Sequence, residues 1–172
     1  MAAVATQLHQ LQDDLEFSPP VTGPAPNLQE CVLLIEDNEE AMWLVRFAVQ
    51  EHGNGRYRLE WAHTLNEGLE HLSSGAVDVV LLDLGLPDSS GPQSYAWVRE
   101  VSPLVPVVVL TGNTSRETEM AVTAGGVDGY LVKDQVSGSL LLQAIGAALY
   151  ANKQRVEPTQ YPKLLRTRFR LA

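Results

Sequence analysis

The most informative segment of this chain is CVLLIED, residues 31–37. Five apolar residues in a row predict a strand that is covered on both faces, as the strands of a parallel sheet are. Glu36 and Asp37 end this run, at the point where the strand leaves the sheet. In open α/β sheets the functional site lies at the carboxyl ends of the strands. The segment therefore predicts an α/β fold with an acidic site at that edge.

The residues that follow alternate between short apolar runs and longer amphipathic stretches. Apolar runs predict further strands at 57–62, 77–82, 105–110 and 129–132. Helical spacing and capping residues predict helices at 38–51, 64–73, 91–102, 114–124 and 135–152, with a loop at 85–90. Five βα repeats predict a doubly wound, five-stranded parallel sheet in the order 2-1-3-4-5, with five helices. The more polar strand at 57–62 is expected at an edge.

Composition divides the 172 residues into three parts. Residues 1–29 are predicted to hold an N-terminal amphipathic helix, followed from residue 17 by an extended proline-rich linker. Residues 30–152 hold the βα repeats. Residues 153–172 form a basic tail, in which the alternation of Arg166 to Arg170 with Thr167, Phe169 and Leu171 allows a strand or a disordered segment. The apolar residues of the first part are spaced to share one helical face: Val4, Leu8, Leu11 and Leu15.

Composition, charge and cysteine content argue against a disordered chain, a membrane span and a disulfide-rich fold, and they disfavour nucleic acid as a partner. The net charge is −9 and 45% of residues are hydrophobic, which is typical of a core-forming protein rather than a disordered one. No apolar run approaches the roughly 18 residues of a membrane span. The single cysteine, Cys31, excludes a disulfide framework and favours a reducing cytoplasm. Because the chain before residue 153 is strongly acidic, nucleic acid is an unfavoured partner and cations are favoured.

The predicted topology brings three carboxylates, a hydroxyl and an ammonium to one sheet edge. Glu36 and Asp37 follow the first strand, Asp83 the third, Thr111 ends the fourth and Lys133 follows the fifth. Carboxylates this close repel each other unless a cation lies between them, and oxygen ligands favour Mg²⁺. A carboxylate beside a metal ion and a lysine is suited to in-line attack on phosphorus.

Four motifs in this order resemble the receiver domain of bacterial two-component response regulators, a flavodoxin-like fold. They are LLIEDN at 33–38, LLDLGLPDSSG at 81–91, VVLTG at 108–112 and YLVK at 130–133. The resemblance covers residues 30–152. It implies that Asp83 accepts a phosphoryl group from a sensor histidine kinase or a phosphotransfer protein.

The resemblance also implies a role for each neighbouring residue. Asp83, Asp37 and the backbone carbonyl of Gly85 would ligate Mg²⁺ directly, and Glu36 would act through water. Thr111 and Lys133 would contact the phosphoryl group. Tyr130 would move inward as Thr111 shifts, so that these two residues form the switch.

One position departs from the family pattern. The family commonly has a proline after this lysine, in a cis bond, whereas Asp134 follows Lys133 here. A non-proline cis bond costs about 2.5–4 kcal/mol, so a trans bond or a rearranged turn is expected. Asp134 could also draw Lys133 away from Asp83.

Several residues allow a second interpretation. Thr111 could be a helix cap and Tyr130 an ordinary strand aromatic. Met42 and Trp43 could belong to the core or to a docking face. The last helix carries more apolar residues than one packed stripe needs, which favours a homodimer through that helix, with residues 1–16 packed against it. A monomer whose N-terminal helix covers the stripe is the alternative.

The sequence as a whole predicts a single-domain, cytoplasmic response regulator. Only 20 residues follow the last predicted helix, too few for a DNA-binding module, so protein contacts are the expected output. The protein is expected to be a phosphoacceptor switch that promotes its own phosphorylation and dephosphorylation rather than an enzyme. The alternatives are a pseudo-receiver scaffold and a DNA-binding regulator that uses the basic tail.

Overall fold

A computed structural model describes residues 29–112 and 115–168, with side chains to residue 155. Its centre is a five-stranded parallel sheet, whose strands alone we number. They are β1 (Glu30–Ile35), β2 (Tyr57–Ala62), β3 (Val79–Leu82), β4 (Val107–Thr111) and β5 (Gly129–Val132). The sheet order is β2-β1-β3-β4-β5, so both the predicted order and the edge position of the polar strand are confirmed.

Five helices surround the sheet, as the sequence predicts. They are α1 (Glu39–His52), α2 (Leu65–Ser73), α3 (Pro92–Val101), α4 (Arg116–Ala124) and α5 (Gly138–Arg168). Within the described ranges no helix is long and apolar enough to cross a membrane.

Strand alternation divides the core into two layers. Cys31, Leu33 and Ile35 face one side, where the core includes residues of α2, α3 and α4. Val32 and Leu34 face the other side, where residues of α1 and α5 cover the sheet. The central strands are buried on both faces, as a continuous apolar run predicts.

Side-chain caps begin the two helices next to the acidic edge. Asn38 Oδ1 accepts a hydrogen bond from Ala41 N at 3.0 Å, which caps α1 directly after Asp37. Thr64 Oγ1 accepts one from Glu67 N at 3.2 Å and caps α2. Each cap satisfies a backbone donor that the first helical turn leaves unpaired.

The largest difference from the sequence prediction lies at the C-terminal end. The last helix begins at Gly138 rather than at residue 135, because residues 133–135 form a 3₁₀ turn. It continues to Arg168, so the predicted helix end at residue 152 is wrong, and so is the expectation of a strand or a disordered tail for residues 166–168. Pro158 and Pro162 favour a helix end, but most other residues of this stretch have good or moderate helix propensity.

Two further predictions concern the segment after β3 and the N-terminal part of the chain. Residues 85–90 form a small antiparallel hairpin, Gly85–Leu86 paired with Ser89–Ser90, where a plain loop was expected. The predicted N-terminal helix at 1–16 lies outside the described residues, as does most of the linker.

An ion-pair network ties the opposite edge of the sheet together. Arg99 of α3 contacts Asp128 at 2.7 Å, and Val107 N donates to the same carboxylate oxygen at 2.9 Å. Arg155 of α5 pairs with the other oxygen. Burial alone would raise the pKa of Asp128, but Arg155, the Val107 amide and Arg99 together lower it. The carboxylate is therefore a fixed anchor for α3, β4, β5 and α5.

Gly68 and Gly146 should respond oppositely to alanine, because α2 packs closely on β1 at Gly68 whereas α5 leaves space at Gly146. A Cβ at Gly68 would lie 2.4 and 2.8 Å from side-chain atoms of the buried Ile35, whereas at Gly146 the nearest atom would be 3.8 Å away. Overpacking a core costs about 1–3 kcal/mol, and removing a helical glycine gains up to about 1 kcal/mol. In urea unfolding, Gly68→Ala should be less stable than wild type and Gly146→Ala slightly more stable. Equal stability of the two variants would contradict this packing.

Candidate functional site

The strand order places two of the predicted carboxylates side by side. Glu36 directly follows β1 and Asp83 directly follows β3, which are neighbours in the sheet. Asp83 N donates to Ile35 O at 3.0 Å, so the backbone pairing continues to the site itself. The sheet thus brings together residues that lie 47 positions apart in the chain.

Glu36, Asp37 and Asp83 form one carboxylate cluster. Each contributes an oxygen, and these oxygens all lie within 4.8 Å of one another. Glu36 and Asp83 are buried, 1% and 6% exposed, whereas Asp37 is open to solvent. The cluster is therefore accessible on the side of Asp37, and the sheet holds the carboxylates of Glu36 and Asp83 in place.

Lys133 supplies the positive charge of the site. Its Nζ lies 2.6 Å from Glu36 Oε2 and 3.0 Å from Asp83 Oδ2. Asp134 does not draw the ammonium away, so that expectation is wrong. The described residues contain no cis peptide bond, and the chain turns after β5 in the 3₁₀ turn instead, as the missing proline predicts.

The pKa values of this pair reflect burial and mutual attraction. Burial raises the pKa of Glu36, and the Lys133 ammonium only partly offsets the rise, to which Asp83 also contributes. Burial alone would lower the pKa of Lys133, but its contacts with Glu36 and Asp83 outweigh burial and raise it. Lys133 therefore stays positively charged and neutralises one of the three carboxylate charges.

The donor set fits a divalent cation. Three carboxylates and one ammonium leave two negative charges, which a Mg²⁺ ion would balance. Glu36 Oε2 is buried and accepts no aligned hydrogen bond, so its contact with Lys133 is an ion pair with acceptor capacity left over. Gly85 lies next to the cluster, since a Cβ there would be 3.5 Å from Asp83 Oδ2. All four residues of the predicted metal site are thus close together.

The two predicted switch residues share one face of the sheet. Thr111 is the last residue of β4, is 1% exposed, and pairs with Val132 of β5. Ser115, not Thr111, is the N-cap of α4. Tyr130 pairs with Val109, two residues before Thr111, and packs against the same core layer. Burial raises the pKa of Tyr130, to which Glu119 of α4 adds, so the phenol stays neutral.

Two residues that support the site were not predicted from the sequence. Asp88, in the turn of the hairpin, accepts hydrogen bonds from Leu65 N and Asn66 N, both at 2.9 Å, and so caps α2 from another segment. Trp61 Nε1 donates to the carbonyl oxygen of Glu36 at 2.7 Å. Asp88 lies five residues after Asp83 in a turn that contains a proline, and this position was the one sequence signal for its supporting role. Nothing in the sequence predicts that Trp61 contacts Glu36.

Comparison with protein families gives one extended match. Residues 32–145 match the model of the response regulator receiver domain, which is about two thirds of the chain. The KDP operon transcriptional regulatory protein KdpE of Escherichia coli K12 is 34% identical over 109 residues, or 63% of this chain and 47% of that protein. The transcriptional regulatory protein GlrR of the same organism is 33% identical over 118 residues, 69% of this chain and 26% of that protein. The chain thus spans half or less of the length of these relatives.

Solved structures share the fold. The chemotaxis protein CheY4 of Vibrio cholerae is 26% identical with a TM-score of 0.61, and the match covers 70% of this chain and 98% of that one. A CheY-like receiver domain protein of Methanospirillum hungatei is 24% identical with a TM-score of 0.66, and the match covers 74% and 98%. Each neighbour is covered almost completely, so the matched part of this chain corresponds to one whole domain of this kind.

Magnesium should stabilise the protein through the carboxylate cluster. Without metal, Asp37→Asn should be at least as stable as wild type, because it removes repulsion from Glu36 and Asp83. Above the dissociation constant, each tenfold rise in Mg²⁺ should add about 1.4 kcal/mol to wild-type stability, and nothing to the variant. Thermal unfolding in a Mg²⁺ series measures this. Glu39→Gln, which removes an equal charge outside the cluster, should respond like wild type; a normal response of Asp37→Asn would contradict the site.

Proposed function

This chain belongs to the family of response regulator receiver domains, and we propose that Asp83 is its phosphoacceptor. The observation that supports this most is the contact of Lys133 Nζ with Asp83 Oδ2 at 3.0 Å, beside the carboxylates of Glu36 and Asp37. Receiver domains act in two-component systems, so the donor is a phosphohistidine of a sensor kinase or of a phosphotransfer protein. We place this reaction in the cytoplasm.

The proposed reaction is a phosphoryl transfer from nitrogen to oxygen. A carboxylate oxygen of Asp83 attacks phosphorus in line with the leaving imidazole, an O–P bond forms and the P–N bond breaks. The imidazole nitrogen keeps the electron pair and takes up a proton. The Lys133 ammonium stabilises the negative charge on the transferring oxygens.

The metal has a defined place in this proposal. Asp37, Asp83 and the Gly85 carbonyl would hold Mg²⁺ directly and Glu36 would hold it through water, and the bound ion supplies Lewis-acid stabilisation of the phosphoryl oxygens. Asp83 N and the hairpin fix the acceptor's backbone on either side. Leu84 N donates to Asp83 Oδ1 at 2.7 Å, which orients the carboxylate before any donor arrives.

The proposed output is a change in protein contacts. Thr111 contacts the new phosphoryl group and Tyr130, next to it on the same face, changes its exposure. Such a switch shifts the populations of two existing conformations. The protein is therefore a phosphoacceptor that promotes its own phosphorylation and dephosphorylation, not an enzyme acting on a separate substrate. A pseudo-receiver scaffold is less well supported, because the acceptor, lysine and carboxylates are all present and close together.

We also propose that the active form is a homodimer through α5. Leu141, Ile145 and Leu149 of this helix are in the core, but Leu140 and Tyr150 are 41% and 67% exposed. This partly agrees with the surplus apolar stripe expected from the sequence. The net charge of −9 disfavours nucleic acid as a partner.

Phosphorylation should occur on Asp83 and depend on magnesium. With acetyl phosphate and Mg²⁺, the full chain should gain an acid-stable, base-labile acyl phosphate, seen by intact mass. Asp83→Asn should abolish it, Asp37→Ala should abolish it through loss of the metal, and Asp78→Asn, away from the site, should not. If Asp83→Asn were still labelled, the acceptor assignment would be wrong.

Thr111 should couple phosphorylation to the conformational change. Thr111→Ala should still accept the phosphoryl group, because the cluster and Lys133 are intact, but the response should be weaker. The measurement is the change in NMR spectra on adding beryllofluoride and Mg²⁺, followed at residues near Tyr130. Thr111→Ser, which keeps the hydroxyl, is the matched control and should respond like wild type. Equal responses of the alanine variant and wild type would count against a threonine switch.

A further inference from the structure

The outer face of α1 carries an apolar surface that is not part of the carboxylate cluster. Trp43, Leu44 and Phe47 are 55%, 72% and 61% exposed, whereas Met42 of the same helix is buried in the core. The sequence left both residues, Met42 and Trp43, open between core and docking; the structure assigns Met42 to the core and leaves Trp43 outside. Large apolar groups exposed together mark an interaction surface rather than chance exposure.

This surface borders a groove between α1 and the beginning of α5. The groove has a volume of about 400 Å³, and its apolar lining includes Leu44, Phe47, Leu110, Val136 and Leu141. One end is closed, because Gly138 approaches so closely that a Cβ there would be 2.9 Å from the His52 ring. The lining also includes Asn38 and Lys133, so the groove leads to the phosphoacceptor site.

We propose that residues 1–16 of the same chain dock in this groove against Trp43, Leu44 and Phe47. The four apolar residues at Val4, Leu8, Leu11 and Leu15 are spaced to form one helical face, which needs an apolar partner. A helix of 16 residues is about 24 Å long and α1, with 14 residues, about 21 Å, so the two lengths match.

The point where the chain enters the domain favours this occupant. Gln29 Nε2 donates to Gly55 O at 3.0 Å and Glu30 N donates to Arg56 O at 2.9 Å, in the turn that follows α1. The linker at 17–28 therefore joins the domain at the C-terminal end of α1. Its 12 residues span at most about 40 Å, enough to reach any part of that helix. A tether this short gives an effective concentration in the millimolar range, so that even weak contacts keep the segment docked.

The segment ends in three acidic residues, Asp13, Asp14 and Glu16, next to the linker. The linker is long enough for either orientation along α1, and the charges around that helix are mixed, because Arg46 stacks on the Trp43 ring at 5.0 Å, Arg56 is paired with Glu30, and Glu51 is acidic. The proposal therefore rests on the apolar match and the tether rather than on charge. The docking does not depend on the phosphoacceptor role of Asp83.

Thiol labelling in the full chain tests the docking. Burial raises the pKa of the native Cys31 thiol to about 11, so it reacts slowly with maleimide at neutral pH. A Leu44→Cys variant would then be labelled at the groove. If the groove is covered nine-tenths of the time, labelling is about tenfold slower than when it is open. Adding Leu8→Asp and Leu11→Asp should raise the rate by about that factor.

Matched variants decide between the possible occupants. Thr6→Asp with Gln10→Asp adds the same charge on the opposite helical face and should leave the rate slow. Leu104→Cys, at a residue 68% exposed outside the groove, should label equally fast in all backgrounds. Equal, fast labelling of Leu44→Cys in every background would overturn the proposal and leave the surface to another protein. Protection that increases with protein concentration would overturn it in favour of a second copy of the chain.

Discussion

Two buried carboxylates side by side, with a third at the surface, are the constraint on which this structure depends. The parallel pairing of β1 with β3 forces Glu36 and Asp83 together, and like charges at that distance are tolerated only with compensation. Lys133 provides part of it from the far edge strand, across β4. The ends of β1, β3 and β5 are therefore held in one electrostatic unit, and its remaining negative charge favours a cation.

Strand alternation separates the functions around this unit. Thr111 and Tyr130 lie on the sheet face covered by α2, α3 and α4, and the apolar groove lies on the face covered by α1 and α5. Lys133 follows the last strand and contributes to both the acidic cluster and the groove. Under the proposed function, a change at Asp83 would reach one face through Thr111 and the other through Lys133. The two faces would then offer separate surfaces to different partners.

The sequence predicted what depends on periodicity and strand ends. Continuous apolar runs predicted the order of the sheet, and the residues after those runs predicted Glu36, Asp37, Asp83, Thr111 and Lys133. It did not predict what depends on long-range contact: Asp88 caps a helix whose first residue, Leu65, lies 23 positions earlier, and Trp61 donates to the backbone carbonyl of Glu36, directly after another strand. The predicted end of α5, at the change to basic composition after residue 152, was wrong, because the helix continues through Pro158 and Pro162 to Arg168.

The anchor at Asp128 has a mechanical consequence. It joins α3, β4, β5 and α5 at the sheet edge opposite the acidic cluster, through Arg99, Arg155 and the Val107 amide. The strand ends around Asp128 are therefore held firmly, and the opposite ends of the strands are the freer ones. Small movements at the free end, where the loops after β1, β3, β4 and β5 meet, need not disturb the packed half of the domain. Under the proposed function, the loops at the acidic end of the sheet would rearrange with each phosphorylation while the packed half of the domain keeps a single arrangement.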